Sequence, residues 1–275
     1  MEGLPERLEE IENIALVESI VLFSRPVKNN VLVLCDHDVM TTASTGLRAR
    51  RRQELLAAIR TAAIEELRRS GATGLSLRAI ARDVGIAVSA LYRYFPSRDE
   101  LLTDLIVHAF DEHADTVEAG GAHDDVGEAL RGIWHAYRAW AVAHPAEFGL
   151  AYGTPVPGYA APPQDTVHAG TRIGHFALEL LARAHAEGRL DPDSLHRRAA
   201  RLSPGTAQQL ETWSSRHGQR LPTEVLAVWL DLFVHLHGLV SMEVFGLLRP
   251  ITPDATPYAT EVIDTELAAL VRPRR

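Results

Sequence analysis

Residues 75–102 restrict the fold more than any other part of the chain. Ser76 is a good N-cap for a short helix running through Val84, and Gly85 breaks it. A second short helix follows at about Val88 to Phe95 and stops at Pro96, because the residue before a proline is pushed out of the helical region. Ser97-Arg98-Asp99-Glu100 then reads as a capping box that opens a long helix with Leu101, Leu102, Leu105, Ile106, Ala109 and Phe110 apolar. In front of this run, Leu56, Ile59, Ala63 and Leu67 recur at helical spacing, and Ser70-Gly71 stops that helix. Three helices joined this tightly form a helix-turn-helix. Ile80, Val84, Ile86 and Leu91 supply its small core, Ala81 is small where the two helices approach, and Gly85 makes the turn. Ser89, Tyr92 and Arg93 face outward, as on a helix that enters a major groove. Short helix pairs on a glycine turn also occur in helical proteins that touch no nucleic acid, so the geometry alone leaves that choice open.

The charge distribution bears on the choice. The 275-residue chain has a net charge of −8, which by itself argues against a nucleic-acid partner. Residues 47–100, however, hold 11 basic and 6 acidic side chains, whereas residues 1–46 hold 3 and 8 and residues 101–275 hold 14 and 22. A basic block inside an acidic chain reads as a dedicated anion-binding module. Arg48, Arg50, Arg51 and Arg52 at its leading edge suit sequence-independent, salt-sensitive contact with phosphates; a solvated basic arm is the plainer alternative.

A compositional seam lies near Met40. All three asparagines and the only lysine, Lys28, precede residue 31, and every later cationic side chain other than histidine is arginine. Residues 1–46 are expected to be an N-terminal extension, either disordered or a mis-called start with Met40 as the biological beginning; a genuine segment of helix and short strand is the alternative. The single cysteine, Cys35, excludes a disulfide framework and any multi-cysteine metal site. No apolar run approaches the ~20 residues needed to span a bilayer, and the N-terminus is acidic, so the chain reads as cytoplasmic with no membrane partner.

Beyond the long helix the pattern remains helical, at about 124–143, 145–152, 166–188, 223–248 and 259–271. Pro155 to Pro163 cannot be helix. Residues 189–222, with Pro192, Pro204 and Pro222, read as a long connection carrying short helices at about 193–202 and 206–215. No strand alternation follows Met40. The fold class expected is all-α: a three-helix head with a helix-turn-helix, and a helical C-terminal domain. The domains are expected at 1–46 (extension), 47–109 (head) and 110–275 (C-terminal domain).

The run from Leu75 to Leu102, with its Leu91-Tyr-Arg-Tyr-Phe95 string and capped helix, closely resembles the DNA-binding domain of the TetR family of transcriptional regulators over about residues 49–109. The resemblance implies that Ser76 and Arg78 meet DNA near the start of the first short helix. It places Val88, Ser89, Ala90 and Tyr92 in the groove, and has Arg93, Tyr94 and Arg98 grip phosphates, with Arg48 and Arg51 adding to the arm. In such a groove an arginine reads guanine and an alanine or valine touches a thymine methyl. The segments His144–Gly153 and Trp229…Glu243 resemble the ligand-binding subclass of that family named for its Trp/His-Gly signature. The resemblance implies a homodimer formed through the last two helices. It also implies a pseudo-palindromic double-stranded operator, a small-molecule effector of unknown identity, and repression relieved by the effector; activation, or a factor without an effector, stands as the alternative. Trp134, Tyr137, Trp140, Phe148, Tyr152, Phe176, Trp229 and Phe233 are candidates to line an effector pocket, although aromatics at helical spacing equally suit an ordinary core. His235 and His237, two apart on a helix, do not share a face and are not expected to hold a metal. No catalytic motif is present in the sequence; no enzyme activity, cofactor or metal is expected.

Overall fold

The computed structural model describes residues 42–153, 155–216 and 220–274, with side chains from residue 48 onward. The expectations for residues 1–39, including a start at Met40, lie outside the described residues. Eleven α-helices follow one another among the described residues: α1 (Thr42–Ser70), α2 (Leu77–Val84), α3 (Val88–Tyr92), α4 (Arg98–Gly120), α5 (Val126–Ala143), α6 (Pro145–Tyr152), α7 (Pro163–Ala186), α8 (Pro192–Ala199), α9 (Pro204–Arg216), α10 (Thr223–Val244) and α11 (Thr256–Leu270). The first begins at Thr42, ahead of the boundary expected at residue 47. Among the described residues the one extended pairing is an isolated bridge between Leu190 and Val271. The chain is all-α, as expected.

The described residues divide into two compact units. One runs to Leu105 and includes Val156–Tyr159; the other comprises 106–155 and everything from Ala160 on. In the first unit, the head, α1 buries Ile59, Ala63 and Leu67 against the α2 residues Leu77, Ile80 and Ala81. Leu91, Phe95, Leu101, Leu102 and Leu105 complete this core, each at most 5% exposed. Arg60 clamps Asp104 with two hydrogen bonds of 2.8 Å, joining α1 to the start of α4. Arg69 binds both Glu66 (2.9 Å) and Asp83 (2.7 Å), which ties the end of α1 to α2. The short 156–159 segment belongs to the head because it turns at Gly158 (φ 76°) and brings the Tyr159 hydroxyl to 2.8 Å from that of Thr103.

In the C-terminal unit, α10 is the central element. It packs on α5, α7, α8, α9 and α11 and buries nine of its side chains. It is long and apolar enough to cross a membrane by composition, and half of that apolar stretch is buried inside this core. The prolines of the 189–222 stretch do not interrupt structure; Pro192 and Pro204 open α8 and α9, and Pro222 caps α10. Proline suits the first helical turn, where its missing N–H has no partner to lose. Helix α10 ends at Val244, before the expected 248, because Gly246 turns the chain with φ 73°. Helices α4 and α5 cross where Gly120 meets Gly132, and Arg172 of α7 binds Glu118 at 2.7 Å and Asp115 at 2.6 Å on α4.

Candidate nucleic-acid interface and effector cavity

The helix-turn-helix forms by local chemistry. The Ser76 hydroxyl accepts from the Ala79 amide at 3.3 Å, capping α2. Gly85 adopts the left-handed conformation (φ 76°), and its amide and that of Ile86 return to the carbonyls at the end of α2. A Cβ at Gly85 would meet no atom within 4 Å, so the position demands glycine for its backbone angle and not for space. Ile80, Ala81 and Leu91 are fully buried; Val84 and Ile86 are half-buried at the rim of this small core. The Ser97 hydroxyl accepts from the Glu100 amide at 3.1 Å, so the serine half of the expected box is present at the start of α4.

Of the residues expected at DNA, Arg78, Ser89, Tyr92 and Arg93 are exposed, and Ser76, Val88, Ala90 and Tyr94 half-exposed, on and beside α2 and α3. Tyr92, 46% exposed, is no core residue. Phe95 turns inward at 5%, while Tyr94 lies under the Arg52 guanidinium, 5.8 Å from its ring centroid. Arg48, Arg50, Arg51 and Arg52 are exposed along the start of α1. Arg98 occupies a different place from a free phosphate clamp: its guanidinium donates to the Ala72 carbonyl at 2.5 Å and so latches α4 to the turn after α1. That role depends on a contact 26 residues away, which spacing does not reveal.

The C-terminal unit contains an open-mouthed cavity of about 810 Å³, within the range of ~300–1,000 Å³ typical of small-molecule sites. Four expected pocket residues line it: Tyr137, Tyr152, Trp229 and Phe233. Trp134, Trp140, Phe148 and Phe176 do not. Trp134 borders a separate void of about 10 Å³, and Trp140 stacks on His113 at 4.3 Å. Phe148 is fully buried in the core, and Phe176 fills the space beside Gly121, where a Cβ would touch it. Sequence reasoning named neither Phe110 nor any residue of α9 as cavity wall, although it placed a short helix at about 206–215; Trp213 of α9 stacks on Trp229 at 4.7 Å. The helix begins two residues earlier than expected, because Pro204 itself occupies its first turn.

At the floor of the cavity two phenols meet two buried imidazoles. The Tyr137 hydroxyl lies 2.6 Å from His237 Nδ1, whose other nitrogen lies 3.3 Å from the Ser241 hydroxyl. The Tyr152 hydroxyl lies 3.4 Å from His113 Nδ1, while His113 Nε2 meets the Tyr137 carbonyl at 3.1 Å. Burial holds the His113 pKa down to about 3, lowers that of His237, and pushes both phenols up. All four groups are neutral at pH 7. A Cβ at Gly238, next to His237, would meet nothing within 4 Å among the described residues, so this glycine marks no close helix approach within the chain.

His113 carries a pH dependence whose sign is fixed. Unfolded, it binds a proton below pH ~6.5; folded, it does so only below about 3. Between those values the unfolded state holds the extra proton, so stability falls as pH falls. Acidification from pH 7 to pH 5 is expected to remove about 2 kcal/mol through this group. Urea unfolding across that range, compared with His113→Gln, should show the variant lacking this share of the slope. An identical slope in both proteins would refute the assignment.

A helix-turn-helix head joined to a helical unit with a large cavity defines a class of DNA-binding transcriptional regulators. Residues 59–105 match the model for bacterial regulatory proteins of the tetR family, and residues 130–265 match the tetracyclin repressor-like C-terminal domain. The second match contains both segments in which the sequence resembles the ligand-binding subclass. The HTH-type transcriptional regulator Rv1816 of Mycobacterium tuberculosis is 37% identical over 212 residues, covering 74% of this chain and 87% of that protein. The crystal structure of the regulatory protein SCO4313 is similar with a TM-score of 0.64 and 31% identity, covering 80% of this chain and 96% of that one. PfmR from Thermus thermophilus, at 18% identity, a TM-score of 0.52 and coverage of 78% and 99%, shares the fold. The chain belongs to the TetR family and is a DNA-binding transcriptional regulator.

Proposed function

We propose that the protein is a cytoplasmic, ligand-responsive repressor that binds a pseudo-palindromic operator as a homodimer, and that the 810 Å³ cavity receives its effector. The cavity carries this reading. It is lined by α4 through Phe110 and by α7 through Gly170 and Ile173, and α4 is one continuous helix whose first turns belong to the head. A ligand that favours one setting of α4 changes the affinity of the head for DNA. A coupling of about 1–3 kcal/mol gives a 5–150-fold change. No coenzyme or metal enters this scheme.

The dimer face follows from exposed apolar side chains. Val234 (63% exposed), Met242, Phe245 and Tyr258 lie on α10, just past its end and on α11. Leu230 and Val240 on the same helix turn inward, Leu230 to the cavity and Val240 to the core. A two-fold interface is self-complementary, so one charge is introduced twice. Val234→Glu is expected to yield a folded monomer that has lost operator affinity; analytical ultracentrifugation showing an intact dimer would count against this face.

The direct test is fluorescence anisotropy with the full chain, a labelled duplex from the gene's own upstream region, and scrambled DNA, at two salt concentrations. Tight, salt-dependent preference for the native duplex is expected. Equal weak binding to both would overturn the specific-operator reading. Arg93→Ala should weaken binding to both duplexes alike and reduce the slope of log affinity against log salt by about 1. A change confined to the native duplex would instead place Arg93 on a base.

A further inference from the structure

The walls and floor of the cavity specify the chemistry of what fills it, granted that it is the effector site. The walls are ordered rings. His175, Trp213, Trp229, Phe233 and His237 form a run of neighbours with successive interplanar angles of 22°, 19°, 16° and 7° and centroid spacings of 4.7–6.5 Å. The first four line the cavity. Because these rings stack on one another, an aromatic ligand meets a wall of rings, and ring–ring contact at their edges or outer faces adds to simple burial. A flexible alkyl chain draws no such advantage.

The floor is set by counting hydrogens. A backbone carbonyl only accepts, so His113 Nε2, facing the Tyr137 carbonyl, carries the ring proton of the neutral imidazole. His113 Nδ1 is then an acceptor, and the Tyr152 hydroxyl, which faces it, is its donor. With that hydrogen committed, the Tyr152 oxygen only accepts: one lone pair faces the neighbouring Tyr137 hydroxyl, with which it interacts, and the other is left to the cavity. Tyr137 has its own partner in His237 at 2.6 Å. The rim differs: Arg216, at the end of α9, is the one residue with a permanent charge among those that line the cavity, and it is exposed.

We propose that the effector is a flat aromatic molecule bearing a hydroxyl or N–H donor, which lodges against the Tyr152 oxygen, and an acidic group, which meets Arg216. The body packs against the Trp213–Trp229–Phe233 wall. A site built to accept a hydrogen bond from its ligand discriminates strongly against the analogue that lacks the donor, because the buried oxygen is then left dry.

The test uses the full chain in calorimetric titrations with three carboxylate probes, 6-hydroxy-2-naphthoate, 2-naphthoate and dodecanoate, and with 2-naphthol as the uncharged comparison. The hydroxylated probe is expected to bind at least about ten-fold tighter than 2-naphthoate, and both tighter than dodecanoate. Tyr152→Phe should erase the advantage of the hydroxyl while leaving 2-naphthoate binding within about two-fold, a result that also shows the cavity is still folded. Arg216→Gln, an exposed change that leaves the core untouched, should weaken both naphthoates but not 2-naphthol. The proposal is overturned if dodecanoate binds as tightly as the hydroxylated probe, if the hydroxyl advantage survives in Tyr152→Phe, or if none of the three binds. Operator anisotropy on the same samples separates the two readings. Intact DNA binding without probe binding removes the ligand class alone, and probe binding that leaves DNA affinity unchanged removes the effector role alone.

Discussion

Gly132→Ala is expected to disrupt the C-terminal unit, costing more than about 3 kcal/mol. A methyl on Gly132 would stand 1.9 Å from the Gly120 carbonyl oxygen. That obstacle is backbone and cannot rotate away. The reverse approach is equally closed, because a Cβ at Gly120 would lie 2.5 Å from that of Ala136. Helices α4 and α5 touch main chain to main chain at this crossing, and an added methyl must part them. With total stabilities near 5–15 kcal/mol, such a cost removes much of the folded margin. The expected result is a fall of roughly 10 °C in the thermal midpoint, followed by loss of operator binding as the unit that dimerises fails. Gly205→Ala is the control. The nearest atom to its Cβ would be 3.9 Å away, so that variant should melt at or above the parent temperature. Equal midpoints for Gly132→Ala and the parent would mean the crossing is not tight.

The head is legible in the sequence and the cavity is not, and the reason is the range of the interactions involved. Ser76 caps a helix by bonding to an amide three residues on, Gly85 turns the chain with its own φ, and Ser97 repeats the capping of Ser76. Each device is complete within a few residues, so spacing alone predicts it. The outward-facing Ser89 and Arg93 follow from the periodicity of α3. Arg98 marks the limit: its residue type suits a phosphate clamp, but its partner is the Ala72 carbonyl, on the far side of the helix-turn-helix in sequence.

The C-terminal unit inverts this balance. Tyr137 and Tyr152 stand out in the sequence as aromatics at helical spacing, yet what makes them a site is their pairing with His237 and His113, 100 and 39 residues away. Phe176 carries the same periodic signal as Trp229, but it fills the gap beside Gly121, whereas Trp229 lines the cavity. Periodicity identifies the inward face of a helix; it does not say whether the space beyond that face is filled. Helix α9 decides that question through Trp213, and its own sequence is too polar to mark it as a wall. The short helices expected after Pro192 and Pro204 are present, and each proline stands at the first turn, where its ring is favourable.

The second large effect is expected at the ion pair between Arg138 and Glu243. Arg138 of α5 holds Glu243 of α10 through two hydrogen bonds of 2.7 and 2.5 Å, with the side chains only 11% and 10% exposed. Removing either partner leaves the other charge buried and unpaired, which costs about 3–5 kcal/mol. Glu243→Gln and Arg138→Met should therefore each lower the urea midpoint sharply. Replacing both, as Arg138→Met with Glu243→Leu, is expected to restore most of that stability, since an apolar pair of similar volume avoids the desolvation cost altogether. The pair then contributes register more than net stability. It sits one residue beyond Tyr137 on α5 and two beyond Ser241 on α10, so it fixes the axial position at which the Tyr137 hydroxyl meets His237. The double variant should fold yet bind cavity probes less selectively. A single variant that costs under about 1 kcal/mol would show the pair to be solvated, and a double variant as unstable as the singles would show that the charges themselves hold α5 to α10.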